Sequence, residues 1–131
     1  MSETRKRNDY YKEIADKLID TMPELESIKN SNVTIAYLES DFNKTAKGKK
    51  ILGLTELVTS KNKWAIDYDF TITFYTENIK ELTQDQIAIL VYHELLHVGV
   101  DGDKYSVKPH DLEDFKVIID KYGAYWDTVN I

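Results

Sequence analysis

Cysteine is absent from these 131 residues. A disulfide scaffold, a thiolate zinc site, an iron–sulfur cluster and a cysteine nucleophile are therefore excluded, and any metal must sit on His, Asp or Glu. Histidine is scarce as well, with only three in the chain. Long apolar runs are missing. The most apolar stretch, Ile87 to Val100, contains His93, Glu94 and His97 and falls short of the roughly twenty apolar residues that cross a bilayer, so no membrane partner is expected. The first eight residues lack the apolar segment of a secretory signal, which points to the cytoplasm. Positive charge is in deficit: 17 Lys and Arg face 23 Asp and Glu, a net charge of −6, and this balance argues against nucleic acid as a partner. With two Pro and five Gly, no linker and no internal repeat, the chain is expected to be a single domain over 1–131 with a mobile start of about eight residues.

What is present is patterned. Tyr11, Ile14, Leu18 and Met22 form one stripe of an amphipathic helix from about Glu3 to Met22, which Pro23 ends or follows with a second short helix. Val33, Ile35 and Tyr37 alternate with Thr34, Ala36 and Leu38 as a half-buried strand does. Asn43 to Lys50, with four Lys and a Gly, reads as an exposed turn. A weak strand signal at Ile51 to Thr59 precedes a clean alternation in which Trp64, Ile66, Tyr68, Phe70, Ile72 and Phe74 share one face. That face would meet a core and the other water or a ligand, and the strand's edge could take an extended peptide; an ordinary sheet with a solvated Thr and Asp face is the competing reading. Thr83 with Gln86 is a capping box that starts a helix running to about Gly99. Asp111 caps a last helix along Leu112, Phe115, Ile118, Ile119 and Tyr122, stopped by Gly123. The pattern predicts an α+β fold in the order helix, three strands, helix, loop, helix.

His93-Glu94-Leu95-Leu96-His97 carries the chemistry. Two His four residues apart project from one helix face, so both rings can converge on a tetrahedral Zn2+. Glu94 lies about 100° round the helix, badly placed as a ligand but able to reach a water in the open metal position. Ile87, Val91, Leu95 and Val98 on the opposite side anchor the helix in a core. Two core His satisfied by hydrogen bonds would not explain a carboxylate in so apolar a helix, where an unpartnered charge costs several kcal/mol.

A catalytic zinc needs a third protein ligand, and the extended pattern with Gly and a third His soon afterwards is absent, since position 100 is Val and position 103 is Asp. His110 is the one His left, within reach if the loop from Val98 to Pro109 folds back. Glu113 is the chief alternative and Asp111 a weaker one. Asp101 and Asp103 read first as a polar turn closed by Gly102. With zinc on His93, His97 and His110, a bound water becomes the nucleophile and Glu94 its general base. No His remains to stabilise the oxyanion, so a Tyr must serve, and Tyr105 is the candidate.

The run from Leu90 to Trp126 resembles the family of putative phage metallopeptidases, through the His-Glu-Leu-Leu-His core, Asp101-Gly102, His110-Asp111 with Phe115, and Tyr122-Gly123 with Trp126. The Asp67 to Phe74 strand fits as well. The chain is more distantly similar to SprT-like zinc peptidases, in which a His just ahead of a helix supplies the last ligand. The Gly usual after that His is here Asp111, and the aromatic comes one residue late. The resemblance implies a phage or prophage origin, hence the host cytoplasm, and zinc-dependent hydrolysis of a peptide or protein substrate. It also implies a minimal zincin-like domain: an N-terminal helix, about three strands packed on the active-site helix, and a C-terminal helix. The alternative from another class is a catalytically inactive zincin-like scaffold that binds a phage or host protein.

Overall fold

The computed structural model describes residues 4–46 and 48–108. The expected C-terminal helix, with His110, Asp111 and Glu113, lies outside the described residues. In chain order the elements are strand β1 (Arg5–Arg7), helix α1 (Asp9–Thr21), a 3₁₀ turn (Pro23–Leu25), α2 (Glu26–Lys29), β2 (Ile35–Ser40), β3 (Thr45–Ala46) and β4 (Lys49–Lys50). There follow β5 (Gly53–Leu57), β6 (Phe70–Tyr75), α3 (Thr76–Ile79), α4 (Gln84–Leu95), β7 (Val98–Asp101) and β8 (Lys104–Val107). The fold is α+β. Among the described residues, no helix is long and apolar enough to cross a membrane.

Among the described residues the main sheet has four strands in the order β1-β2-β6-β5, one more than the three expected, while β3 with β4 and β7 with β8 form separate two-stranded ribbons. The added strand comes from the chain start. Arg5–Arg7 pair antiparallel with Leu38–Ser40, and Asn8 then caps α1 by accepting a hydrogen bond from the Tyr10 N–H at 2.8 Å. The helix accordingly begins at Asp9 rather than near Glu3. Its predicted stripe holds: Tyr11 is buried, and Ile14, Leu18 and Met22 pack against the core. Pro23 both ends the helix and opens the 3₁₀ turn.

β2 and β6 pair in parallel from Ile35 opposite Phe70 to Ser40 opposite Tyr75, and β5 pairs antiparallel with the other side of β6. The long alternating strand from Trp64 is therefore cut to its last six residues. The cause lies in Asp69, whose carboxylate accepts from the Thr34 N–H and hydroxyl and pairs with Lys63, so the chain before it is held as a loop. Trp64 is 87% exposed. Nor does β6 have a wet face. Phe70, Ile72 and Phe74 enter the core on one side and Thr71, Thr73 and Tyr75 are buried on the other. Being interior, it has no edge to offer a peptide; among the described residues the outer strands are β1 and β5.

Paired residues share a face, so Gly53, Thr55 and Leu57 lie on the side of Phe74, Ile72 and Phe70 that packs under the helices. Tyr11 of α1 stacks on Phe74 there at 4.3 Å. The capping box of α4 forms as expected: Gln86 N–H donates to Thr83 Oγ1, and the Thr83 N–H donates to the Gln86 side chain. The helix ends at Leu95 and not near Gly99, because Val98 already pairs with Val107. What was expected as a loop to Pro109 is the β7–β8 hairpin, turning at Gly102 with φ 61°. Gly99 is required for a different reason than helix termination. A Cβ there would meet Ser106 Oγ at 2.6 Å and its carbonyl oxygen at 2.8 Å.

Candidate metal centre

α4 is fixed by burial of Leu90, Val91, Tyr92 and Leu95, and the centre occupies its last turn. His93 and Glu94 are helical; His97 sits two residues beyond the end, in a tightened turn where the Leu96 N–H donates to the Tyr92 carbonyl and the His97 N–H to the Glu94 carbonyl. The turn preserves the juxtaposition that i, i+4 spacing predicts. The His93 and His97 ring centroids are 5.3 Å apart. One ligating atom from each of His93, Glu94 and His97 lies within 4.8 Å of the other two.

His97 is oriented by the chain that follows the hairpin. Its Nδ1 lies 2.6 Å from the Lys108 carbonyl oxygen. A carbonyl only accepts, so Nδ1 carries the proton in this contact, the same kind of backbone hydrogen bond that orients a metal-bound His. The Lys108 N–H in turn donates to the His97 carbonyl at 2.7 Å. Lys108 is thus attached to His97 through both of its backbone polar groups.

Glu94 is only 4% exposed. Burial pushes its carboxyl from the ordinary 4.5 up to about 7, against the opposing pull of a hydrogen bond from Thr55. Thr55 Oγ1 lies 2.8 Å from Glu94 Oε1 and 3.1 Å from the Glu94 carbonyl oxygen. Gly53 stands beside the same carboxylate: a Cβ there would come within 3.1 Å of Glu94 Cγ and Cδ and 3.2 Å of Oε2. Two imidazole donors and a buried carboxylate, on the last turn of a buried helix and the tight turn after it, suit a divalent cation better than a core cluster.

A sequence profile matches residues 4–130, nearly the whole chain, and its metallopeptidase description agrees with this donor set. The chain belongs to the family of putative phage metallopeptidases. No curated protein and no solved structure matches it. Of the residues the sequence singles out in this member of the family, His93, Glu94 and His97 come together. Tyr105 lies on β8 opposite Val100, half-buried, its ring centroid 6.0 Å from that of Phe70. Asp101 and Asp103 are exposed at the hairpin turn, as the polar-turn reading has it. Thr55, Gly53 and the Lys108 backbone escape the sequence. Their one signal is the weak strand at Ile51 to Thr59, which acquires meaning once its register on β6 is known. A groove of about 420 Å3 between α1, α2 and β2, floored by Ile19, Ile28 and Tyr37, includes none of the residues of the metal centre.

Proposed function

We propose that this chain is a zinc-dependent metallopeptidase acting on peptide or protein substrates, with His93, His97 and His110 as ligands and Glu94 as general base. The observation that carries the reading is the buried Glu94 carboxylate within 4.8 Å of ring nitrogens of two His, one of them oriented by the Lys108 carbonyl. Zinc, when bound, supplies a water made acidic near neutral pH and polarises the substrate carbonyl. Glu94, buried beside both His, takes the proton of the attacking water and passes it to the leaving amine. Lys108 is held at His97, and two residues further span at most about 7 Å, which supports His110 as the third ligand, with Glu113 the alternative. Tyr105 is the proposed donor to the oxyanion. The near-complete family match supports treating residues 1–131 as a single zincin-like domain.

Glu94→Gln tests the reading. The variant should bind as much zinc as the wild type and fold as well, while peptide hydrolysis falls by about 10² to 10⁴. A wild type that binds zinc but cleaves no better than the variant would favour the inactive scaffold that holds a phage or host protein. His110→Ala and Glu113→Ala separate the candidate third ligands, since only loss of the true one should strip zinc under mild chelation.

A further inference from the structure

The carboxylate at the centre is gripped from the sheet. Thr55 and Gly53 are two residues apart on the helix-facing side of β5, opposite Ile72 and Phe74. Thr55 holds Oε1 of Glu94 at 2.8 Å, and the bare backbone of Gly53 leaves the space that the rest of the carboxylate fills. Thr55 is itself buried, so no water competes for that hydrogen bond. Yet a carboxylate oxygen of Glu94 lies within 4.8 Å of a ring nitrogen of both His93 and His97, near enough for a cation on those nitrogens to draw it in. A carboxylate captured as a ligand shares its negative charge with the metal and becomes a weaker base for the attacking water.

We propose that Thr55 is a positioning residue that keeps Glu94 out of the metal's coordination shell, with Gly53 providing the clearance. The proposal rests on the reading of Glu94 as general base, and it assigns to β5 the choice between base and ligand. An anchored oxygen cannot swing to the metal without breaking a buried, charge-assisted hydrogen bond, the stronger kind. Valine copies the shape of threonine without the hydroxyl, and serine keeps the hydroxyl in a smaller side chain.

The test uses the full chain loaded with Co2+ in place of Zn2+, read by its visible absorption spectrum alongside peptide hydrolysis. Thr55→Val should still bind one cobalt, but with a spectrum altered by an added carboxylate ligand; combining it with Glu94→Gln should remove the alteration. Its kcat should fall about ten- to hundred-fold, the usual effect of losing a residue that orients a metal site, with KM within about twofold. Thr55→Ser should keep the wild-type spectrum and most of the activity. A Thr55→Val spectrum and kcat equal to the wild type, or a Thr55→Ser variant as impaired as Thr55→Val, overturns the proposal. If Thr55→Val does not fold, Thr55→Ala against Thr55→Ser decides on the same criteria, as both are smaller than threonine. A wild type that binds no cobalt sinks the metallopeptidase reading itself, whereas cobalt binding with a spectrum indifferent to Thr55 sinks only this assignment.

Discussion

At the scale of single residues, Glu94 sets a pH dependence that reverses what most carboxylates produce. Desolvation raises its pKa to about 7 in the folded chain from an ordinary 4.5. Between those values the metal-free folded protein holds a proton that the unfolded chain has released. Raising the pH through this window therefore lowers folding stability, by at most about 3 kcal/mol, and below about pH 4.5 the contribution is flat. Urea unfolding of metal-free protein at several pH values should show the decline. In saturating zinc it should shrink, because a neighbouring cation favours the ionised carboxylate. A Glu94→Gln variant should lack this decline at any zinc concentration. The sequence already marks Glu94 as the odd charge in an apolar helix, but not its depth or its partner. Thr55 lies 39 residues away, and no local pattern announces a contact that depends on which residue of β5 faces Ile72.

At the scale of elements, signals confined to a single turn are legible and those depending on a neighbouring strand are not. The Thr83–Gln86 box and the Pro23 stop need only their own helix and appear where expected, and the His93–His97 pair needs only the helix end and the turn that follows it. The alternation from Trp64 to Tyr75 does not survive as one strand: a ladder lasts only while a partner is opposite, and β2 ends its pairing at Ile35. Gly99 misleads in the same way. Helix termination and close strand approach both favour glycine, and only the position of Ser106 separates them. Gly99→Ala should destabilise the protein by about 1–3 kcal/mol through overpacking against the Ser106 backbone, measured by urea unfolding. Because the same hairpin delivers Lys108 to His97, the variant should also lose zinc more readily in a chelator competition. Thr83→Ala is the control at the other end of α4. It should cost about 1 kcal/mol of stability and leave zinc retention unchanged.

At the scale of the whole molecule, the two outer strands are tied across the back of the sheet. Arg5 of β1 reaches Glu56 of β5 at 2.6 Å, with Tyr75 Oη 3.4 Å from its other terminal nitrogen. The pair is partly exposed, so Arg5→Ala should cost no more than about 1 kcal/mol, measured by thermal unfolding. A tightly bound zinc is the larger lever, since free metal at a thousand times its dissociation constant adds about 4 kcal/mol. The parallel pairing of β2 with β6 has a consequence in time. Ile35 meets Phe70, and Arg5 meets Ser40, across 35 intervening steps of chain, while Glu94 waits for a partner from β5. Such long loops close slowly. The helix bearing His93 and Glu94 can form early, yet the centre is completed only when the sheet is, so zinc uptake during stopped-flow refolding should follow the slow phase that builds the sheet rather than the fast gain of helix.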